Sequence, residues 1–150
     1  MSPCLKMPPD KFGSIEREGI MEVNWIAVVA AAVSAFVLGG VWYGPLFGKK
    51  WMELVGLSEE QAKSANMGKV FGGAFALSLI AAFVFAMFLG PKPGVEFATA
   101  AGASAGLCWV AATFGINYLF AQRPFGLWLI DGGYATLQFT LYGLVIGLLG

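Results

Sequence analysis

The chain has 150 residues, of which 58% are hydrophobic and 12% charged, and its nine Lys and Arg balance nine Asp and Glu. Soluble globular proteins carry about a quarter charged residues, so this composition excludes that class and indicates a membrane protein. The absence of histidine removes the commonest zinc ligand and the usual general base, and two distant cysteines cannot build a disulfide framework or a thiolate cluster. We therefore expect no cofactor and no metal, and the balanced charge indicates no nucleic-acid partner.

The first 21 residues form a polar leader that contains three prolines and lacks the apolar segment of a signal peptide. Met21 is followed directly by a typical entry into a membrane helix. We expect residues 1–21 to be disordered or to be a translated upstream extension, with Met21 as the native start. Residues 22–150 then form a single transmembrane domain.

Four apolar runs fill the rest of the chain, and each is long enough to cross the hydrocarbon core of a bilayer. They predict transmembrane helices at about 25–43, 70–89, 97–120 and 125–149. The expected fold is all-α: a polytopic membrane protein with a four-transmembrane-helix bundle made of two helical hairpins. Small residues recur every four positions along these runs, which favours close helix packing, and we expect a homo-oligomer.

The connector between the first two runs, residues 46–69, is polar and contains the capping-box pattern Ser58-Glu-Glu-Gln61, which predicts a short helix starting at Ser58. The apolar residues before it lie beside two lysines and indicate an amphipathic segment in the membrane interface, although a plain solvated connector fits equally well. We expect Pro45 to end the first helix. The candidate interface anchors are Trp25, Trp42, Tyr43 and Trp51.

Polar side chains are concentrated in the last two runs, on both sides of the corner 121–125. Asp131 is the one carboxylate inside any long apolar run, and an ionisable group at membrane depth is a functional candidate by default. A polar stripe continues from it down one face of the fourth helix, and we expect this face to point into the bundle or towards a partner chain. The candidate intramembrane polar cluster is Asn117, Arg123, Asp131, Tyr134, Gln138 and Tyr142.

Two interpretations of Asp131 remain open. In the structural interpretation, which we favour, hydrogen bonds to Asn117 or Tyr134, or an ion pair with Arg123, hold a buried carboxylate that fixes the two hairpins together. In the other interpretation, the carboxylate binds a proton or an ion.

The sequence predicts an integral membrane protein without catalytic activity, acting as a scaffold or interaction protein. The alternative is a component of a small-solute or ion transporter or channel that uses the polar stripe of the fourth helix. Intramembrane proteases need paired aspartates or Ser with His, and metal-dependent lipid enzymes need His clusters, so neither class fits this chain. The expected partners are the lipid bilayer and further copies of the chain, and a small-molecule ligand is unknown.

The basic residues of the loops predict the orientation in the membrane. The loops 46–69 and 121–125 hold five of them: Lys49, Lys50, Lys63, Lys69 and Arg123. The opposite side has Lys92 alone if Met21 is the start. The positive-inside rule then places both loops in the cytoplasm and both termini outside.

Several short motifs, taken together, resemble domain of unknown function family 1761. These are Asn24-Trp25, Trp42-Tyr43-Gly44-Pro45, Gly48-Lys-Lys-Trp51, Val55-Gly-Leu-Ser58, Asn117-Tyr118 and Gly133-Tyr134. The similarity covers residues 22–150 and implies a small four-helix protein of the bacterial cytoplasmic membrane, without assigning an activity or substrate. The family commonly has asparagine at the position of Asp131, so the resemblance does not support a mechanism that requires a carboxylate there.

Overall fold

The computed structural model describes residues 23–150, and the expectations about the leader 1–21 lie outside this range. Within residues 23–150 the structure is all-helical and contains no strand. We number the helices in chain order: α1 Trp25–Val41, α2 Gly48–Val55, α3 Glu59–Ser64, α4 Met67–Leu89, α5 Val95–Phe120 and α6 Phe125–Leu149.

Four helices are long and apolar enough to cross a membrane: Trp25–Leu46, Met67–Leu89, Val95–Phe120 and Phe125–Leu149. This confirms the predicted fold class of an all-α protein with four membrane-spanning helices. The first span includes α1 and its continuation to Leu46 and therefore extends three residues beyond the predicted end.

We expected the first helix to end at Pro45. The first span instead continues through Pro45 as a π-helical turn, Trp42–Leu46. Proline has no backbone N–H and cannot make the regular helical hydrogen bond. Beyond the proline, the N–H of Phe47 donates to the carbonyl of Trp42, five residues back, at 2.9 Å, which is the hydrogen bond of a π-helix. Because Gly44 leaves helical geometry within this turn (φ −95°, ψ −105°), the chain changes direction and leads into α2.

Glycines allow α5 and α6 to pack with their backbones in contact. A Cβ added at Gly102 or Gly106 of α5 would collide with the backbone of α6, and one added at Gly143 would collide with the carbonyl of Ala98 on α5. Small residues at such positions permit close helix approach in membranes. The second hairpin is therefore held by tight backbone packing.

The first hairpin packs on α6 through a strip of alanines. Ala27, Ala31 and Ala35 of α1 are buried, as the predicted packing strip requires. They share a core with α4 and with Tyr142 and Ile146 of α6. Thus α6 contacts both hairpins and is the central helix of the bundle.

The connector contains two short helices. The capping box predicted at Ser58 is present, because its Oγ accepts from the N–H of Gln61 at 3.1 Å while Gln61 Oε1 accepts from the N–H of Ser58 at 3.1 Å. Between this helix and the first span lies α2, whose C-terminal Gly56 has a left-handed conformation (φ 79°). The segment expected here to be amphipathic forms α2, whose apolar side is half-buried on the bundle; its position in the membrane interface remains a prediction.

The third span, which the sequence suggests is a regular helix, contains a π-helical segment, Ala105–Ala111. Its last carbonyl, that of Ala111, accepts a hydrogen bond from Trp128 Nε1 at 2.7 Å. The tight contact at Gly106 and this indole bond fix the irregular segment against α6.

Candidate functional site

Asp131 lies in the second turn of α6, and only 7% of its surface is exposed. Its Oδ1 atom accepts hydrogen bonds from the Tyr43 hydroxyl at 2.7 Å and from Trp51 Nε1 at 3.0 Å. Its Oδ2 atom accepts from the Tyr118 hydroxyl at 2.6 Å. We call Tyr43, Trp51, Tyr118 and Asp131 the Asp131 clamp.

The donors of the Asp131 clamp come from three different elements. Tyr43 belongs to the π-helical turn, Trp51 to α2 and Tyr118 to α5. The change of direction at the π-helical turn brings Tyr43 and Trp51 to the same carboxylate oxygen, with their rings edge to face at 5.7 Å. One side chain of α6 thereby joins α1, α2 and α5.

A second set of contacts ties α1 to α6 beside the clamp. Trp42 Nε1 donates to the carbonyl of Ile130 at 3.0 Å, and the Tyr134 hydroxyl donates to the carbonyl of Ala35 at 3.2 Å. The Tyr134 ring also meets that of Tyr43 edge to face, with centroids 5.1 Å apart. These bonds run in both directions across the same helix pair and fix its register.

All three donors to the Asp131 carboxylate are neutral side chains. An ionised carboxylate is an acceptor only, which matches the three donors, and hydrogen bonds to a charged group are stronger than those between neutral groups. The ion pairs among residues 23–150 are Lys50–Glu53 and Lys63–Glu59; both are exposed, and neither includes Asp131. The arrangement can therefore hold a carboxylate in place without a basic side chain.

The partners predicted for Asp131 were wrong. The Asn117 amide donates to the carbonyl of Thr113 in its own helix at 3.0 Å, and Tyr134 bonds to α1. Arg123 is exposed at the corner and forms no ion pair within the described part of the chain. Asn117 points away because neighbouring helix residues differ by about 100° in direction, and Tyr118 is the one that faces α6.

The lower part of the polar stripe forms a separate network. The hydroxyl of Tyr142, which is fully buried, accepts from Gln138 Nε2 at 2.6 Å and lies 2.7 Å from Ser78 Oγ. Ser78 was not predicted as a site residue, although it is the one hydroxyl in the small-residue strip of α4. This network joins α4 to α6, as the clamp joins the other helices.

Three of the four candidate interface anchors direct their polar atoms towards α6. Trp42 bonds to its backbone, while Tyr43 and Trp51 bond to Asp131. Trp25 is 64% exposed and stacks on Phe83 of α4 with centroids 5.1 Å apart. Anchoring at the membrane interface remains a prediction for all four residues. Trp25 is the one of them that lies mostly exposed on the surface of the bundle.

Two surface cavities lie away from the Asp131 clamp. One of about 290 Å³ is lined by residues near both ends of the described chain and by the turn that contains Lys92. The other, of about 320 Å³, lies between α4 and α5 beside Trp109. Between residues 23 and 150, no three His, Cys, Asp or Glu side chains are grouped so that they could hold a metal ion. Neither of these two cavities is lined by a member of the Asp131 clamp, and the candidate site is a set of side-chain hydrogen bonds.

Comparison with protein families gives a match over most of the chain. The family model described as "Protein of unknown function (DUF1761)" matches residues 26–147, which include all four members of the Asp131 clamp. No curated protein and no solved structure matches the chain.

Proposed function

Because this chain belongs to the DUF1761 family, as its motifs predict, we propose that it is a non-catalytic scaffold or interaction protein of the membrane. The observation that carries this proposal is the use made of the polar side chains inside the spans. Among residues 23–150, no buried side-chain nitrogen or oxygen lacks a hydrogen-bond partner. The buried polar groups hold the four spans in one arrangement, as a scaffold requires.

The helix α2, which the clamp attaches to the bundle, has a charged surface at the end of the bundle where the connector 46–69 and the corner 121–125 lie (the loop side). With Trp51 turned inwards, the outer face of α2 carries Lys49, Lys50 and Glu53, all exposed. The following helix α3 adds further charges of both signs. A surface of mixed charge at one end of the bundle suits recognition of another protein through polar contacts.

The first half of α4 supports a homo-oligomer. Residues 67–77 are exposed except for Phe75, which packs edge to face on Phe36. A Cβ added at Gly72 or Gly73 would meet nothing within 4 Å, so no contact inside the chain requires a glycine there. Glycine costs about 0.5–1 kcal/mol in a helix relative to alanine, whereas it permits close approach of a second helix. A second copy packed on α4 would use both glycines.

Disulfide formation in native membranes tests this contact. In a background with Cys4→Ala and Cys108→Ala, Gly72→Cys should form a covalent dimer on mild oxidation, since a twofold contact brings a residue close to its own copy. Ala82→Cys, on the buried face of the same helix, is the matched control and should stay monomeric. Strict monomers in single-molecule photobleaching, with no cross-linking anywhere in residues 67–77, would contradict the homo-oligomer.

The proposed location is the bacterial cytoplasmic membrane, with α2, α3 and the corner 121–125 in the cytoplasm and both termini outside. Support comes from the five basic residues on the loop side, all of which lie in short connections close to span ends. A scaffold in this orientation would present its charged surface to cytoplasmic partners.

A transporter or channel component is the second candidate, and one observation favours it. The π-helical segment Ala105–Ala111 lies in the middle of the third span, and such segments occur frequently at functional sites. Purified protein in liposomes loaded with a pH-sensitive or a K⁺-sensitive dye would separate the two candidates. Ion flux in the wild type that is abolished by Asp131→Asn would favour transport, and its absence would favour the scaffold.

A further inference from the structure

The helix α2 lies between two glycine joints. Gly44, in the turn before it, has non-helical backbone angles (φ −95°, ψ −105°). Gly56, directly after it, has a left-handed conformation (φ 79°, ψ 31°). A Cβ added at either glycine would meet nothing within 4 Å. Neither joint is therefore packed against a neighbouring element at its Cβ position, and the eight-residue helix lies between them.

The packing of α2 on the bundle is shallow. Only Gly48 of this helix is buried, and its apolar residues Trp51, Met52, Leu54 and Val55 are all half-buried. Segments with little buried apolar surface open at a lower free energy than the core of the same protein. Compared with the four spans, α2 is therefore the helix near the clamp that detaches most easily.

A single side-chain hydrogen bond within the described residues ties α2 to the spans, from Trp51 Nε1 to Asp131 Oδ1. The other side-chain hydrogen bond of α2, between Lys50 and Glu53, stays inside the helix. When the Trp51 bond breaks, Tyr43 still donates to Oδ1 and Tyr118 to Oδ2. The carboxylate then keeps one donor on each oxygen, so release of α2 leaves neither oxygen unpaired.

From these contacts we infer that α2 is a hinged lid over Asp131. In the closed form, which the structure records, Trp51 donates to Oδ1 and only 7% of the Asp131 surface is exposed. In the open form, α2 swings on Gly44 and Gly56, and water from the loop side takes the position of the indole N–H at Oδ1. The lid controls aqueous access to the carboxylate of Asp131, whether the protein serves as a scaffold or as a transporter.

Chemical labelling of Asp131 in the purified, lipid-reconstituted full chain tests the lid. A water-soluble carbodiimide with glycinamide converts an accessible carboxyl into an amide, which peptide mass spectrometry quantifies. In the background without Cys4 and Cys108, the pair Leu54→Cys and Gly126→Cys allows the lid to be locked with a short reducible cross-linker, because the Leu54 Cδ1 atom lies 3.4 Å from the Cβ position of Gly126. The exposed Glu59 serves as the internal standard.

The lid predicts that cross-linking suppresses labelling of Asp131 and that reduction of the same sample restores it, with labelling of Glu59 unchanged. Equal rates before and after reduction, including no labelling in either state, would overturn the inference. This comparison uses one protein in two states, so it does not depend on comparing the folding of different variants.

A pair of tryptophan variants gives a second test that needs no cross-linker. Trp51→Phe removes the lid bond but keeps an aromatic ring, and loss of a hydrogen bond to a charged group should raise the labelling rate of Asp131 about tenfold. Trp128→Phe removes a comparable indole bond, from Trp128 to the Ala111 carbonyl, at a position away from α2 and should leave the rate unchanged. An unchanged rate in Trp51→Phe, or equal increases in both variants, would overturn the lid.

Discussion

The hydroxyl of Tyr118 donates to Oδ2 of Asp131 at 2.6 Å, and the two residues face each other across the corner that joins α5 to α6. Tyr43 approaches the same carboxylate from the first hairpin and donates to Oδ1 at 2.7 Å. Each carboxylate oxygen thus accepts a hydrogen bond from a tyrosine of a different hairpin. This position explains why a single polar side chain inside an apolar helix affects the arrangement of the whole bundle.

Asp131→Asn should be tolerated, whereas Asp131→Leu should not. The amide oxygen of asparagine can still accept from Tyr43 and Trp51, and its NH₂ group can donate to the Tyr118 oxygen if that hydroxyl turns round. We expect asparagine to lower the free energy of unfolding by less than about 1 kcal/mol. Leucine leaves three donors without a partner, at about 1–3 kcal/mol each. Thermal unfolding in one detergent, followed by size-exclusion chromatography, measures both.

An asparagine variant that unfolds as readily as the leucine variant would show that the negative charge itself is required. The clamp would then depend on the ionised carboxylate and not only on its acceptor atoms, and the predicted tolerance of asparagine would be wrong.

Gly143→Ala should weaken the packing of α5 on α6. Its new methyl group would collide with the carbonyl of Ala98, a backbone atom that cannot turn aside. Overpacking of this kind costs about 1–3 kcal/mol. Gly72→Ala is the matched control, since its methyl group meets nothing in the chain and should be neutral or slightly stabilising in dilute, monomeric protein. The melting temperatures of the two variants relative to the wild type give the comparison, and equal shifts would contradict the packing explanation.

Tyr142→Phe should destabilise the contact between α4 and α6. The change removes the hydroxyl that accepts from Gln138 and bonds to Ser78, in a buried position where an unpaired polar group costs about 1–3 kcal/mol. Thr140→Val tests a hydroxyl whose bond runs to its own helix, to the carbonyl of Thr136, and should change stability by less than about 1 kcal/mol.

The double variant Ser78→Ala with Tyr142→Phe measures the coupling. If the two hydroxyls act through each other, its loss of stability is smaller than the sum of the single losses. An additive result would show that each contributes independently of the network.

The sequence predicts the spans well because length and hydropathy are local properties of each run. It could not predict the partners of Asp131, since these depend on the π-helical turn that directs Tyr43 and Trp51 inwards. The sequence predicts both residues as interface anchors. An amphipathic ring serves equally well as an interface anchor or as a donor to a buried carboxylate, and nothing in the residue type distinguishes the two uses.

In the same way, the choice between Asn117 and Tyr118 depends on the rotation of α5 about its axis. The π-helical segment Ala105–Ala111 inserts an irregularity into that helix, so residues after it do not continue the direction set by those before it. Periodicity of the sequence alone therefore gives the wrong side chain of this pair.

The orientation in the membrane can be tested with two lysine positions on opposite sides of the bundle. In the background without cysteines, Lys92→Cys lies in the turn between α4 and α5, and Lys50→Cys lies on α2; both positions are exposed. Because basic residues in short loops favour the cytoplasmic side, a membrane-impermeant maleimide should label Lys92→Cys in intact spheroplasts and Lys50→Cys only after permeabilisation. The opposite labelling would place α2 and its charged surface outside the cell and would exclude cytoplasmic partners for it.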